Sequence, residues 1–575
     1  MQKSNLSDPA EVMACYREFE RELTAAGGPF ETVVVDPNDG GPVRSYRYAA
    51  PNFYAAVAEL ETRFRDHVLV TDESGSATYH EILDRARRLA TALYDRYRIG
   101  PGDRVGIMMA NRSEYLVVLF AAARLGAVAV LYNSRGSAAE IAAATADVPS
   151  AVVVADPRRL EILREVAPGA TLITTNSTGP EDVPALGDLI DRAGDTAARH
   201  PATADATCLI LFTSGTSGRA KGVALTHRNI GNVVLNMKFV SECNIRFASR
   251  QYGIGVDDLR SFTPAMSPLL VFPLFHVSGL AGLLIAMNTG GQIVTMSRWV
   301  PAHAAGLVER YRLTLVAGPP LAVDELLAEP DAAQRLSSLV NLAPGGQANP
   351  PNVSRRIADT LPAAQRSVGW GMTETGGSVC TANGILLAAF PDTLGPMSPT
   401  MDVRVVDATG NPLPAGAVGE LELRGGLVAR GYLGPAADAG AFHDDWLRTG
   451  DIGRLDRYGL VYIVDRSKDI IIAAGENISC LEVESVLAAT DEFVEVAVFG
   501  VPDRRLGERV VAAVTLRAGV SLTAEDIREL AGRSLPGYKV PAEIVFDMSP
   551  LPRNATGKLL KRELRARYLA ADPAS

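Results

Sequence analysis

Strand and helix patterns alternate along this chain from about residue 52 to residue 400, and this alternation restricts the folds open to it. After one long apolar helical face come the turn Gly100–Asp103 and the apolar strand Arg104–Met109. Further strand-like runs cover Ala151–Ala155 and Cys208–Phe212. Because such a pattern buries sheets under helices, we expect an α/β fold built of layered sheets.

The pattern changes beyond residue 400. Short strands between Gly and Pro turns indicate a β-rich subdomain over residues 401–466, and mixed strand and helix patterns indicate a small α+β domain over residues 467–575. Residues 1–51 form an N-terminal extension. The sequence therefore predicts a large N-terminal domain, consisting of an α/β core at 52–400 and the β-rich subdomain, and a small C-terminal α+β domain.

Composition excludes several classes of protein. Hydrophobic residues make up 47% of the chain and charged residues 21%, as in ordinary globular proteins, which excludes wholesale disorder. The formal net charge of -10 leaves no general basic field, so nucleic acid is not an expected partner. The five cysteines lack Cys-x-x-Cys and metal-ligand spacing, and the N-terminus has no export signal. We therefore expect reduced thiols in a cytoplasmic protein.

One stretch requires a test for a membrane span. Residues 261–297 contain no Lys, Arg, Asp or Glu and are numerous enough to cross a bilayer as a helix. Pro264, Pro268 and Pro273 interrupt the stretch. Because prolines break a helix and favour a buried strand followed by a helix, we expect core structure here and no integral membrane segment.

A first segment suited to phosphate chemistry follows an apolar strand. Residues Thr213–Gly222 combine glycines, hydroxyl side chains and Lys221. Glycines let backbone N–H groups converge on an anion, and the lysine adds a positive charge, so the segment suits a phosphate-gripping loop. Its spacing differs from that of the loop in nucleoside triphosphatases. A plain Ser/Gly turn is the alternative.

Three further segments could bind the rest of a nucleotide. Gly369–Gly377 places Trp370, which could stack on a purine, near Glu374, which could hold Mg²⁺ beside phosphates. The carboxylate in Thr449–Asp451 could accept ribose hydroxyls, and the lysine in Pro552–Lys558 could reach a phosphate. Taken singly, each could also be a plain loop or turn with a solvated side chain.

In this order and at these separations, the four segments resemble the superfamily of adenylate-forming enzymes, which includes AMP-dependent acyl-CoA synthetases, peptide-synthetase adenylation domains and firefly luciferase. The resemblance runs from about residue 52 to residue 566. It implies that ATP activates a carboxylic acid as acyl-AMP with release of pyrophosphate, and that a thiol then displaces AMP. It also implies Mg²⁺, CoA as co-substrate, and a C-terminal domain that is mobile.

The resemblance assigns a role to each matching residue. It implies that Lys558, Glu374, Thr373 and His276 are catalytic and that Glu374 also binds Mg²⁺. ATP-binding roles pass to Thr213, Ser214, Gly215, Thr216, Ser217, Gly218, Lys221, Gly345, Gly346, Gln347, Trp370, Gly371, Asp451 and Arg466. Lys468 is the implied hinge, and the turn with Gly475 and Glu476 is the implied CoA-facing side.

The expected substrate is a hydrophobic carboxylic acid, because apolar residues with Gly and Ala around Leu269–Met287, together with Gly376 and Gly377, suggest a pocket without a fixed charge. The resemblance to acyl- and aryl-CoA synthetases implies that His276 lies beside the substrate carboxylate, which disfavours a free amino acid. Fatty, aryl and polycyclic acids remain open.

The first hypothesis is an acyl-CoA ligase, and the alternative delivers a fatty or aryl acid to a separate carrier protein. A third hypothesis is a nucleotide-binding regulatory protein that has lost catalysis. It is disfavoured because Lys558, Glu374, Asp451 and Lys221 are all present. A homodimer is compatible with the sequence, and residues 1–50 and 240–265 receive no role.

Overall fold

The computed structural model describes residues 6, 8–37, 41–176, 180–194, 202–213, 220–434, 440–546, 551–554 and 557–571. Its strands are β1 (Thr32–Val35), β2 (Val43–Tyr46), β3 (Val68–Asp72), β4 (Gly75–Thr78), β5 (Arg104–Met108), β6 (Val128–Leu131), β7 (Val152–Ala155), β8 (Leu172–Thr174), β9 (Thr207–Thr213), β10 (Lys221–Thr226), β11 (Pro268–Leu270), β12 (Ile293–Thr295), β13 (Leu315–Gly318), β14 (Asn341–Pro344), β15 (Gln365–Met372), β16 (Gly377–Asn383), β17 (Gly395–Pro396), β18 (Met401–Val406), β19 (Gly419–Gly425), β20 (Gly431–Leu433), β21 (Phe442–His443), β22 (Trp446–Leu455), β23 (Leu460–Arg466), β24 (Ile471–Ala473), β25 (Glu476–Ile478), β26 (Phe493–Asp503), β27 (Gly507–Leu516) and β28 (Glu543–Phe546).

The α-helices are α1 (Pro9–Thr24), α2 (Phe53–Phe64), α3 (Tyr79–Tyr97), α4 (Ser113–Arg124), α5 (Ala138–Asp147), α6 (Pro157–Val166), α7 (Leu186–Arg192), α8 (His227–Tyr252), α9 (Val256–Phe262), α10 (Val277–Thr289), α11 (Pro301–Tyr311), α12 (Pro320–Leu327), α13 (Ala332–Arg335), α14 (Pro351–Thr360), α15 (Gly384–Ala389), α16 (Cys480–Leu487), α17 (Ala524–Gly532) and α18 (Lys561–Ala571).

Two large sheets form the core of the N-terminal domain. The seven-stranded sheet has the order β20-β10-β9-β6-β5-β7-β8, and the eight-stranded sheet has the order β16-β15-β14-β13-β11-β12-β3-β4. Helix α4 is buried at every residue except Glu114, and its side chains join those of both sheets in one hydrophobic cluster. Helices buried among sheets in this way are the layered α/β architecture that the alternating pattern predicted, so the predicted fold class is confirmed.

The β-rich part and the C-terminal domain each have their own sheet. Strands β17, β23, β22, β19 and β18 form the first, with β21 added to β22, whereas β20 pairs with β10 of the seven-stranded sheet. Strands β25, β24, β27 and β26 form the second, with β28 added to β27, and hydrophobic clusters cover both of its faces. The domain limits drawn from the sequence stay a prediction.

The N-terminal extension packs on the large domain. Apolar residues of α1 share a cluster with α8, α15 and Leu460. Arg250 of α8 donates to both carboxylate oxygens of Glu18 at 2.8 and 2.9 Å. Helix α8 starts with a capping box between Thr226 and Asn229 and ends at Gly253, whose φ of +71° suits a residue without a side chain. The extension therefore supports the outer face of α8.

The uncharged stretch over residues 261–297 forms β11, α10 and β12, as its prolines predicted. Among the described helices, none combines the length and the apolar character that crossing a membrane requires. All five cysteines are buried free thiols, in agreement with the interpretation of them as reduced.

Candidate active site

A cleft of about 2940 Å³ between the large domain and the C-terminal domain gathers most of the predicted site residues. Its lining includes Thr213, Lys221, His276, Gly345, Gly346, Gln347, Trp370, Gly371, Thr373, Glu374, Asp451, Arg466, Lys468 and Lys558. Ser214, Gly215, Thr216, Ser217 and Gly218 lie outside the described residues. Gly475, between β24 and β25, and Glu476, the first residue of β25, are exposed and do not line the cleft.

The ends of strands determine where these side chains meet. Thr213 and Lys221 are partners across the β9–β10 hairpin, so they flank both ends of the glycine-rich segment. Gly345 and Gly346 follow the carboxyl end of β14, and Gly345 N–H donates to the Gly318 carbonyl at the end of β13. Ligands of α/β sheets bind at this edge, because the loops that follow parallel strands converge there.

Asp451 connects the predicted purine and ribose positions. Trp370 Nε1 donates to Asp451 Oδ2 at 2.8 Å, and Arg466 Nε lies 3.2 Å from Asp451 Oδ1. Asp451 and Trp370 are both buried, whereas Arg466 is half-exposed. Two donors therefore hold the Asp451 carboxylate in one orientation, and each of its oxygens keeps a further lone pair for a ribose hydroxyl.

Glu374 is a buried carboxylate that faces cationic groups. Tyr432 OH donates to Glu374 Oε1 at 2.6 Å, and the Lys221 ammonium lies 4.7 Å from the centre of the Tyr432 ring. Burial raises the pKa of Glu374, while the Tyr432 hydrogen bond and the charges of Arg466 and Lys221 oppose that rise. A buried charge that lacks a partner is costly, so the arrangement favours a cation beside this carboxylate.

His276 is neutral in this environment. Burial, with the nearby Lys558 charge second, lowers the pKa of His276 to about 4. Its Nδ1 accepts a hydrogen bond from Ser278 N–H at 3.3 Å as the N-cap of α10. Because Nδ1 accepts, the ring proton lies on Nε2, which can donate to a substrate carboxylate. The positive end of the helix dipole favours an anion at the same place.

Lys558 reaches the cleft from the C-terminal domain. Its backbone N–H donates to Asn554 Oδ1 at 2.9 Å, and the next N–H, of Leu559, donates to Gln347 Oε1 at 3.4 Å. Gly557 has a φ of +84°, and a Cβ there would lie 2.8 Å from Pro319. Burial first and Arg466 second lower the pKa of Lys558 to about 8. The loop that carries this lysine is thus docked on the large domain.

Two features of the site were missed by sequence reasoning. Tyr432, the partner of Glu374, lies in the short strand β20 and has no local motif that marks it. Gln347, for which the resemblance implies an ATP-binding role, also contacts the loop that carries Lys558. In both cases the partner is distant in sequence, so only the folded chain reveals the contact.

A charged cluster joins the two domains outside the cleft. Asp324 of α12 is buried and accepts hydrogen bonds from Arg517, at the end of β27, at 3.0 and 3.2 Å. Arg356 of α14 also donates to Asp324. At the margin of the cleft, Asn352 N–H also donates to the Ala488 carbonyl. These contacts stabilise the orientation of the C-terminal domain in which Lys558 occupies the cleft.

Substituting Arg517 with Met should favour other orientations of the C-terminal domain. Asp324 keeps Arg356, so folding should be retained, while the docked orientation loses one partly buried ion pair. We expect adenylate formation to slow by about tenfold and thioester formation from supplied acyl-AMP to be no slower. Rapid-quench assays of each half-reaction measure this. Arg335→Met, which removes an ion pair within the large domain, is the control; equal losses in both half-reactions would contradict the role of Arg517.

The fold and the cleft together define a two-domain nucleotide-binding enzyme whose small domain supplies a lysine to the site. The model of the AMP-binding enzyme family matches residues 57–433, and that of the AMP-binding enzyme C-terminal domain matches residues 482–558. The chain belongs to the family of AMP-binding enzymes. The resemblance to adenylate-forming acyl-CoA synthetases is therefore confirmed.

Similar proteins span nearly the whole chain. A feruloyl-CoA synthase from Amycolatopsis sp is 34% identical, over 88% of this chain and 97% of its own length. The long-chain-fatty-acid–CoA ligase FadD13 from Mycobacterium tuberculosis is 30% identical, over 86% of this chain and 94% of its own length. The crystal structure of ATP-bound MatB from Rhodopseudomonas palustris superimposes with a TM-score of 0.76 at 28% identity, covering 90% of this chain and 99% of MatB.

Proposed function

We propose that this protein is an AMP-forming acid–CoA ligase that activates a hydrophobic carboxylic acid with ATP and transfers the acyl group to CoA. The observation that carries the proposal is that Lys558 lies in one cleft with His276, Glu374 and Asp451. The similarity to a feruloyl-CoA synthase and to a fatty-acid–CoA ligase supports CoA as the acceptor.

In the first half-reaction, a carboxylate oxygen of the acid attacks the α-phosphorus of ATP, and the bond to pyrophosphate breaks. Two anions must approach each other, so positive charge at the reacting groups lowers the barrier. His276 Nε2–H would orient the carboxylate, and the ammonium groups of Lys558 and Lys221 would offset charge on the phosphates. Asp451 would hold the ribose. The acyl-AMP mixed anhydride and pyrophosphate are the products.

Glu374 is suited to hold Mg²⁺ in this reaction. The described residues contain no cluster of three or more His, Cys, Asp and Glu side chains that could hold a metal by itself. Mg²⁺ commonly binds through one carboxylate together with substrate phosphates, which matches a single buried Glu374 at a phosphate site. The ion would supply charge neutralisation on the phosphate oxygens. Thr373 is next to Glu374 in the sequence, and its hydroxyl would donate a hydrogen bond to the α-phosphate.

In the second half-reaction, the CoA sulfur attacks the acyl carbon, AMP leaves with the bonding pair, and the thiol proton passes to solvent. With Lys558 in the cleft, Gly475 and Glu476 do not line it. Rotation about Lys468 would withdraw Lys558 and bring these two residues to the thiol path. In the alternative, the thiol of a separate carrier protein would take the place of the CoA thiol and accept the acyl group in the same step. A cytoplasmic location agrees with the free thiols and remains a prediction.

The proposal is tested by acid-dependent pyrophosphate release, with and without CoA, over fatty, aryl and polycyclic acids, with products identified by mass. We expect AMP and an acyl-CoA thioester from at least one class of acid. Acid-dependent pyrophosphate release without a CoA thioester would favour the carrier-protein alternative. ADP as the product, or no release with any acid, would contradict the proposed activity.

A further inference from the structure

The segment that leads to His276 is a connection between a strand and a helix. Strand β11 ends at Leu270 and α10 begins at Val277, so residues 271–276 lie outside the regular hydrogen-bond pattern of either element. Within the segment, His276 N–H donates to the Pro273 carbonyl at 3.0 Å and closes a turn. The position of His276 therefore depends on what holds the backbone around Pro273.

The Asn111 side chain holds that backbone on both sides of Pro273. Its Nδ2 donates to the Phe272 carbonyl at 3.0 Å, and its Oδ1 accepts a hydrogen bond from Leu274 N–H at 2.8 Å. Because a carbonyl only accepts and a backbone N–H only donates, these two partners fix which end of the amide is which. One side chain thus makes the pair of hydrogen bonds that a neighbouring strand would otherwise supply.

Asn111 belongs to the other large sheet. It follows β5 of the seven-stranded sheet, whereas Phe272 follows β11 of the eight-stranded sheet. The Asn111 carbonyl also accepts a hydrogen bond from Thr295 Oγ1, at the end of β12, at 3.4 Å. Asn111 therefore joins the carboxyl ends of strands from two sheets, at the edge where ligands of α/β sheets bind.

The loop that carries Asn111 is itself held by two carboxylates. Ala110 N–H donates to Asp156 Oδ2 at 2.9 Å, just after β7, and Ser113 N–H donates to Asp72 Oδ2 at 2.7 Å, at the end of β3. Hydrogen bonds to carboxylates are stronger than those between neutral groups. Because both flanks of Asn111 are anchored in this way, its amide is a rigid support for the segment before His276.

Helix α10 limits movement of the same segment from another direction. A Cβ at Gly279 would lie 2.0 Å from the Pro273 carbonyl oxygen, so the first turn of α10 packs directly on the Pro273 backbone. This contact prevents the segment from shifting toward α10, and the two hydrogen bonds of Asn111 prevent it from shifting away.

The segment connects the acid side of the cleft with the nucleotide side. The centre of the Phe272 ring lies 6.2 Å from that of the His276 ring, with the two planes inclined by 28°. A Cβ at Gly346 would lie 3.4 Å from the Phe272 ring. Phe272 and His276 line the cleft, whereas Asn111 does not. Displacement of the Phe272 backbone would therefore move His276 relative to the turn at Gly346.

We propose that Asn111 is a positioning residue for adenylate formation. Its amide holds the backbone on both sides of Pro273, and His276 is thereby placed where Nε2–H donates to the carboxylate of the acid. Asn111 acts through His276 and does not touch the substrate. The inference rests on the proposed acid-activating function and adds to it a residue that lies behind the wall of the cleft.

The test is a double-mutant cycle between Asn111 and His276, measured by acid-dependent exchange of pyrophosphate into ATP with the most active acid of the panel above. Asn111→Ala should lower kcat/KM for the acid by about tenfold or more, because a small displacement of a reacting group is costly. In a His276→Ala background the same substitution should change kcat/KM by less than about twofold, because the effects of two residues that act as one unit do not add.

Asn111→Asp provides a second variant that keeps the size of the side chain. Its carboxylate still accepts from Leu274 N–H but has no donor for the Phe272 carbonyl. Adenylate formation should again slow in the otherwise unmodified enzyme and stay nearly constant in the His276→Ala background.

Asn52→Ala is the matched control. Asn52 also uses its amide on two backbone groups, since Oδ1 accepts from Ala55 N–H at 2.9 Å and Nδ2 donates to the Ala202 carbonyl at 3.5 Å. None of these three residues lines the cleft. The control should lose a helix cap and some thermal stability, and it should keep the kcat/KM of the unmodified enzyme.

Equal losses from Asn111→Ala in the two backgrounds would show a structural role and would overturn the inference. Unchanged activity of Asn111→Ala in the otherwise unmodified enzyme would overturn it as well. If His276→Ala alone caused no loss, the role of His276 and the inference would both be wrong while the acid-activating function stood. If no acid releases pyrophosphate with the unmodified enzyme, the proposed function itself fails and the inference falls with it.

Discussion

The Lys558→Ala variant should form acyl-AMP about 10²–10³-fold more slowly than the unmodified enzyme, while converting supplied acyl-AMP to the CoA thioester at a similar rate. Lys558 is carried into the cleft by a loop that Asn554 stabilises from within and that contacts Gln347 of the large domain. The second step needs no charge at that position. Acid-dependent exchange of pyrophosphate into ATP and thioester formation from synthetic acyl-AMP measure the two steps separately.

Lys539→Ala is the matched control, because Lys539 belongs to the same domain but pairs with Glu482 away from the cleft. A pH profile adds a second readout. Since the pKa of Lys558 is lowered to about 8, the group is cationic below that pH, and kcat/KM for ATP in the first step should fall as the pH rises through about 8. Equal losses in both half-reactions of Lys558→Ala would exclude the assigned role.

The Glu374→Gln variant should lose about 10²-fold in adenylate formation and should need more Mg²⁺ to reach half of its maximal rate. Glutamine can still accept the hydrogen bond from Tyr432, so the substitution removes the charge and keeps the local geometry. Burial already raises the pKa of Glu374, so a neutral group here should not lower the melting temperature. Mg²⁺ titrations of pyrophosphate exchange measure the expected shift.

Tyr432→Phe separates orientation of Glu374 from its charge. The variant keeps the carboxylate and the aromatic ring near Lys221 but removes one hydrogen bond, so a loss of about tenfold is expected with little change in Mg²⁺ dependence. If Glu374→Gln showed the Mg²⁺ dependence of the unmodified enzyme, a role as metal ligand would be wrong.

Local sequence patterns were sufficient for the fold class, and they predicted many residues that line one cleft in the structure. Alternating apolar strands and helices predicted the layered sheets, and prolines in residues 261–297 predicted a strand and a helix in place of a membrane span. The segments around Lys221, Glu374, Asp451 and Lys558 carried their own residue types, because phosphate and ribose chemistry needs specific donors and acceptors at short spacing. Those residues line one cleft in the structure.

Contacts between distant residues were beyond the reach of the sequence. The hydrogen bond from Tyr432 to Glu374 and the ion pair between Arg517 and Asp324 each depend on which strand or domain lies next to which.

By itself, the sequence determined the family and the layered fold and predicted the reacting groups, because hydrophobic periodicity and short motifs are local properties of the chain. Only the tertiary structure decided how the groups are oriented and how their pKa values are shifted. Those properties come from burial and from neighbours that packing brings together across hundreds of residues.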